Sequence, residues 1–280
     1  MMTLRLVRLI CIILFLWSPR LDATTISDSA VKSDLETEQI QNDTKQEAQR
    51  LWELALDAKG GRVKLDRIRS MSISSRSEYT TTSHRINQIR TESLFVFPNK
   101  VWSWVDYRPD VFGLRVEMYN FDTNMHYIIN SDFPHETPKP ITGNQKSDSH
   151  TYGLVSYLLE NKWLRPVLLS AETGIVGRQI VDVVHTKVND YRVDFAIDRE
   201  THLPIQVTYF HTRDGKEVLD VAQDLLDYTE VGGIKVPQRI KDDEGGVTNV
   251  RIQFNVEYDE SIFATPPPIE AGPEAWRPKK

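Results

Sequence analysis

The side chains that could do chemistry are spread thinly over these 280 residues, and their spacing is informative. His135, Glu136 and His150 lie in or beside the proline-bearing stretch 131–149, where they could meet as metal ligands or an acid–base pair. No His-Glu-x-x-His spacing supports that, and scattered histidines are ordinarily surface residues. His202 sits in the turn-rich Asp198–Pro204, where a structural role is the ordinary one. Asp182, Asp194, Asp198 and Asp220 fall on polar strand faces or in turns; two of them flanking a substrate could share acid–base work, but such spacing also describes a solvated face. Arg85 and Arg90 are candidates to bond a lid, or simply exposed. Gly-x-Ser-x-Gly, Gly-x-x-x-x-Gly-Lys and Gly-x-Gly-x-x-Gly are all missing. The only cysteine, Cys11, lies inside an apolar run near the start, which leaves the rest of the chain without a thiol nucleophile, ligand or disulfide. We therefore assign no catalytic residue, no metal and no cofactor.

Trp102 and Trp104 are the other residues of note. They share one face of a strand whose opposite face carries Val101 and Val105. Both faces are then apolar, which a one-sided sheet does not require. The tryptophans line a pocket, offer a contact surface to a partner, or are packed over by another element; as candidates we treat them as a partner surface.

The elements that must position these residues are mostly strands. From Asp190 to Tyr258 apolar and polar residues alternate, as in Val250, Ile252, Phe254, Val256 and Tyr258 against Arg251, Gln253, Asn255 and Glu257. Asp198–Pro204, Arg213–Lys216, Gly232-Gly233 and Glu244–Gly246 punctuate the pattern. Period-two alternation with Gly-bearing turns specifies an antiparallel meander with one buried face. Further strands are expected from Ser70 to Ile129 and from Ile175 to Val188. Thr44-Lys45-Gln46-Glu47 matches a capping box, opening a helix with Ala48, Leu51, Trp52, Ala55 and Ala58 on one side and Gly60-Gly61 at its end. Thr151 to Ser170 reads as a second helical segment interrupted at Pro166, after a long loop from Ser131 to Ser149.

Arg5 and Arg8 precede the apolar run Leu9–Trp17, which Ser18-Pro19 breaks. That is the pattern of a secretory signal peptide, with residues 1–23 removed on export; an uncleaved anchor is the alternative. Removing them turns 34 basic and 40 acidic residues into 31 and 39, so the net charge moves from −6 to −8. An acidic chain without a basic run is no nucleic-acid binder, and an anionic lipid surface is not its expected main partner. The expected organisation is a signal peptide at 1–23, a disordered polar spacer at 24–43, one domain at 44–268 and an exposed tail at 269–280.

Several motifs together resemble a known superfamily. They are the leader, the helix ending Ala58-Lys59-Gly60-Gly61, the strand start Ile68-Arg69-Ser70-Met71, Asp198-x-x-Thr201-x-Leu203-Pro204, Asp227-Tyr228-x-x-Val231-x-Gly233-Ile234-x-x-Pro237, and Phe263 before prolines. Across about residues 45–268 the chain resembles the periplasmic outer-membrane lipoprotein-sorting, or lipoprotein-carrier, superfamily (LolA/LolB-like). The resemblance implies a mainly β fold with helices: an antiparallel half-barrel of about eleven strands, its concave face covered by helices over an apolar cavity that takes acyl chains. The helices at 45–59 and 151–165 are the candidate plug and lid. Cavity candidates are Trp52, Phe95, Val116, Met118, Leu154, Leu158, Phe195, Val207, Ile252 and Phe254. The expected function is an exported, non-enzymatic protein that holds a lipid or lipoprotein acyl chain. The alternatives are an envelope regulatory or scaffold protein that binds another envelope protein, and a cavity enzyme.

Overall fold

The computed structural model describes residues 28–80, 86–108, 113–131, 139–141, 152–189, 191–213, 215–265 and 267–278. The leader, Arg85, His135, Glu136, His150 and most of the 131–149 loop lie outside these residues. The compact unit Gln41–Lys280 holds the whole sheet; the first helix begins in a separate unit that ends at Ile40.

Among the described residues thirteen strands form one antiparallel sheet, against about eleven expected: β1 (Ser70–Thr80), β2 (Ile86–Val96), β3 (Lys100–Asp106), β4 (Leu114–Asn120), β5 (Met125–Asn130), β6 (Lys139–Pro140), β7 (Val167–Val176), β8 (Gln179–Val188), β9 (Tyr191–Asp198), β10 (Pro204–Arg213), β11 (Lys216–Val231), β12 (Ile234–Asp242) and β13 (Val247–Phe254). The order is β6-β5-β4-β3-β2-β1-β13-β12-β11-β10-β9-β8-β7. Every pairing joins strands consecutive in sequence except at one seam, where β1 pairs with β13, Ile73 opposite Ile252; β6 and β7 do not pair. The sheet is not closed, since β6 and β7 remain edges. Strands β9 to β13 and their turns follow the alternation of the Asp190–Tyr258 stretch.

Helix α1 spans Asp28–Lys59. It begins well before the predicted capping box, so Thr44 and Glu47 are interior residues and Glu47 pairs with Arg50 instead of capping (2.6 Å). The polar stretch expected to be a disordered spacer is helical from Asp28 onward. The reason is local: no glycine or proline interrupts residues 28–59, and glutamate, lysine, glutamine, alanine and leucine dominate. A single turn, α2 (Arg62–Leu65), follows Gly60-Gly61. Gly60 has φ +129°, and a Cβ there would come within 2.2 Å of the Gly233 carbonyl oxygen, so only glycine lets the helix end approach the β11–β12 turn. The expected helix at 151–165 is much shorter: a 3-10 turn at Tyr152–Leu154 and one helical turn, α3 (Val155–Leu158).

Two buried layers lie on opposite faces of the sheet. On the helix face, α1, α2 and α3 pack against β1 and β7 to β13, eight strands whose inward residues include Met71, Val184, Phe195, Val207, Val236 and Ile252. The opposite face of β2 to β5 carries Leu94, Trp102, Trp104, Val116, Met118 and Ile129, packed under Ile262, Phe263, Ile269 and Trp276. This corrects two expectations. Residues 269–278 are not a free tail, because Ile269 and Trp276 are 5% and 3% exposed. Of the three alternatives for Trp102 and Trp104, the structure shows the third rather than a partner surface: another element packs over them, leaving them 0% and 5% exposed under that C-terminal segment. Across the same strand, Val101 packs with Tyr119 and Ile141, so β3 is apolar on both faces because it is covered on both.

Candidate ligand site on the helix face

The site is built from α1 outward. Ala48, Leu51, Trp52, Ala55 and Leu56 recur at helical spacing and are buried, forming one apolar stripe. The Trp52 ring meets Phe195 edge-on, with centroids 5.0 Å apart at 71°. Phe195 lies directly opposite Val207 on β10 and Val184 on β8, a row of apolar side chains across three strands.

The segment from Tyr152 to Leu164 closes over this row. Leu154, Val155, Leu158, Leu159 and Leu164 are all buried, although only one helical turn supports them. Leu159 at φ +63° ends that turn, and the Asn161 side chain then accepts from the Trp163 and Leu164 amides, both at 2.9 Å. With Pro166 close behind, the segment cannot lengthen into a helix.

A polar seam ties this segment to α1 and α2. Trp52 Nε1 donates to Glu160 Oε2 at 2.7 Å, Arg62 pairs with the other Glu160 oxygen, and Arg62 also reaches Glu53 at 2.7 Å. Lys59 Nζ donates to the Tyr157 carbonyl at 2.5 Å and stands 5.1 Å from the Tyr228 ring centre. Lys59 is wholly buried, and burial pulls its ammonium down to about 7. Burial also pushes the Tyr157 hydroxyl up to about 12 and the Tyr228 hydroxyl higher still. Sequence reasoning missed Lys59, Arg62 and Glu160. Lys59 looks like an ordinary cation at a helix C-terminus, and its acceptor Tyr157, like the Glu160 partner of Arg62, lies 98 residues away.

The cavity candidates divide between the two faces. Trp52, Leu154, Leu158, Phe195, Val207 and Ile252 belong to one buried cluster on the helix face, with Phe95 and Phe254 partly buried against it. Val116 and Met118 do not join them: they lie on the opposite face with Trp102 and Trp104. The one-residue offset of the pleat decides this, because Tyr119 and Glu117, their neighbours on β4, are the residues that face the helix side. Glu117 there is pushed above the usual carboxylate range by burial, against the pull of Arg115 and His126. Ser93 and Ser103 hydrogen-bond at 2.8 Å in the same row, so the apolar surface of this face gives way to polar groups beyond Phe95 and Val101. Between Phe95, Phe97, Val101, Phe121 and Leu154 lies a pocket of about 30 Å³. That admits a water or two, not an acyl chain.

The motifs quoted for the family resemblance have structural work to do. The Asp198 carboxylate accepts from the Thr201 amide and hydroxyl, both at 2.6 Å, and from the Glu200 amide at 3.2 Å. The Thr201 hydroxyl foremost, and then the turn amides, hold it below the usual carboxylate range. Tyr228 Oη donates to the Pro204 carbonyl at 2.8 Å, so the Asp198 and Asp227 motifs lock to each other. Among the polar candidates, Asp194 meets His185 Nδ1 at 2.9 Å and accepts both Arg192 nitrogens at 2.9 Å. The other ring nitrogen of His185 faces Glu172 at 3.4 Å. The hydrogen bond to Asp194 raises the imidazole above its ordinary value despite burial. With carboxylates at both nitrogens, this is a charged cross-strand network on the outer face. Asp182 pairs with Arg199 at 2.6 Å, and Asp220 lies 3.6 Å from His211.

The sequence matches no protein-family profile and no curated protein. Among solved structures the chain is similar to a domain from Vibrio parahaemolyticus described as an outer membrane lipoprotein-sorting protein domain, at 14% identity and TM-score 0.47, covering 77% of this chain and 97% of that one. It is similar to a LolA superfamily protein from Nitrosomonas europaea at 13% identity and TM-score 0.47, over 75% and 96%. A DUF1329 family protein from Desulfovibrio piger stands at 13% identity and TM-score 0.46, over 77% and 96%. All three are likenesses of chain path, not of chemistry.

Proposed function

We propose that this is an exported, non-enzymatic binding protein that takes a lipid or lipoprotein acyl chain on the helix face, between the sheet and the Tyr152–Leu164 segment. The observation that carries this reading is the way that segment is held. Five buried aliphatic side chains sit on thirteen residues with a single helical turn, and polar contacts through Glu160 and Tyr157 fasten them to α1 and α2. An aliphatic plug on a short support can give up its place to methylenes that bury the same strand residues. Each methylene removed from water contributes about 0.8 kcal/mol. A chain of about ten thus gains roughly 8 kcal/mol, against association and ordering costs of about 4–15 kcal/mol. Affinity then depends on how little free energy it takes to move Leu154–Leu164. The leader pattern Arg5–Pro19 supports export.

The exported full-length protein is to be extracted and its lipids identified by mass spectrometry, then titrated with a fluorescent fatty acid. Copurified lipid and saturable binding are expected, with Leu158→Arg lowering affinity at least about tenfold while the circular dichroism spectrum stays that of the parent. No lipid, together with no saturable binding by the parent, would overturn the reading.

A further inference from the structure

The face opposite α1 holds a second feature that the acyl-chain reading does not use. Arg76 on β1, Arg90 on β2, Arg239 on β12 and Arg251 on β13 line a groove of about 700 Å³, with Glu92 and Asp227 as its carboxylates. The strand register explains the convergence. Arg76 lies directly opposite Arg90 on one side and Asn249 on the other, Asn249 lies opposite Arg239, and Arg251 lies opposite Ser74. All four guanidiniums belong to exposed residues on adjoining strands.

Like charges placed directly opposite in a sheet destabilise it. Two of the four are compensated: Arg90 pairs with Glu92 at 3.3 Å and lies 5.8 Å from the Trp104 ring centre, and Arg239 pairs with Asp227 at 3.0 Å. Arg76 and Arg251 have no carboxylate partner among the described residues. The groove therefore carries four positive groups against two negative ones, in a chain whose net charge is −6.

We propose that this groove binds a phosphate-bearing anion with two or more negative charges. Guanidinium forks match phosphate oxygens bidentately, which lysine could not do as well. Strands lie about 4.8 Å apart, so from Arg90 to Arg239 is about 14 Å along the row, a span that suits two anionic groups better than one. The Asn249 amide, between Arg76 and Arg239 in the register, adds donors at the middle of the row. The shared chemistry is the phosphate group, carried by a soluble diphosphate or by a phospholipid headgroup. The acyl-chain reading could fail without touching this one, because the two sites lie on opposite faces of the sheet.

The test is titration of the full chain with pyrophosphate at fixed ionic strength, by calorimetry and by melting temperature. In parallel, the protein is sedimented with vesicles of anionic phospholipid in phosphatidylcholine and with phosphatidylcholine alone. Saturable binding is expected, weakened roughly tenfold or more in R76Q/R251Q. Without ligand, that variant should melt at the parent's temperature or above it, because the substitutions remove like-charge repulsion; this separates lost binding from lost folding. Pyrophosphate binding alone assigns a soluble anion, and anionic-vesicle binding, with or without pyrophosphate, assigns a headgroup. Binding to neither, or equal binding by parent and R76Q/R251Q, overturns the proposal.

Discussion

Lys59 is a residue whose environment departs far from its chemistry. It is a wholly buried ammonium with one strong acceptor, the Tyr157 carbonyl, and burial draws its pKa down to about 7. An unfolded lysine titrates near 10.4. Between about pH 7 and 10.4 the unfolded chain thus binds the extra proton, and stability rises with pH across that window. Below it the desolvation penalty is fully present; above it both states are neutral and the penalty is gone. Urea unfolding at stepped pH should show the midpoint climbing from about pH 7 to about pH 9.5, and Lys59→Met should flatten the climb. Glu160 is the complementary case, a carboxylate with 5% of its side chain exposed that satisfies both Trp52 and Arg62. Glu160→Ala strands those donors and should cost about 2–4 kcal/mol in chemical denaturation. Arg62 keeps 35% of its side chain in water, which places the effect toward the lower end. On the functional reading, Glu160→Gln should also speed fatty-acid exchange, because a neutral amide holds the Tyr152–Leu164 segment less firmly.

At the scale of elements, the C-terminal segment is as much a part of the core as any strand. Asp259 N donates to the Trp276 carbonyl at 2.8 Å, Asn120 Nδ2 to the Phe263 carbonyl at 3.3 Å, and Lys100 pairs with Glu260. These bonds place Phe263 and Trp276 over Trp102 and Trp104. Trp276→Ala should cost about 3–5 kcal/mol, as buried tryptophan truncations do. It should also expose enough of the β2–β5 face to bind a hydrophobic dye; an unchanged denaturation midpoint would mean that the segment is dispensable. Helix α1 shows the converse relation of sequence to element. Its stripe from Ala48 to Leu56 is amphipathic and packed, while residues 28–43 carry the helix on through a polar stretch free of glycine and proline.

For the domain as a whole, the seam between β1 and β13 is decisive. It joins residues 71 and 254, and with them the strands of the first half of the chain to those of the second. Because β1 contributes Met71 and Ile73 to the helix-face core and pairs along its length with β2, both buried layers hang on one strand. Native-state hydrogen exchange should therefore give the slowest amides of β3 and β9 the same opening free energy, that of global unfolding. Two well-separated values would show that the halves of the sheet open independently. Pairing over such sequence separations also makes slow folding the expectation.

The alternation from Asp190 to Tyr258, with its Gly-bearing turns, is enough by itself to specify five antiparallel strands, because period two and positive-φ turns are local properties of the chain. The apolar stripe of the first helix is legible for the same reason. Coverage is what local pattern leaves open. Alternation tells which residues share a face of β3 or β4 but not what packs on it, and so it leaves open whether Trp102 and Trp104 line a pocket, meet a partner or lie under another element; in the structure they lie, with Val116 and Met118, under the C-terminal segment. Only the tertiary structure brings residues 262–276 over that face and Glu160 to Trp52 and Arg62. The arginine groove is likewise invisible as a run, because β1–β13 pairing assembles it from positions 76, 90, 239 and 251. Strand periodicity is written within a few residues, whereas burial and charge clustering depend on which distant strands become neighbours.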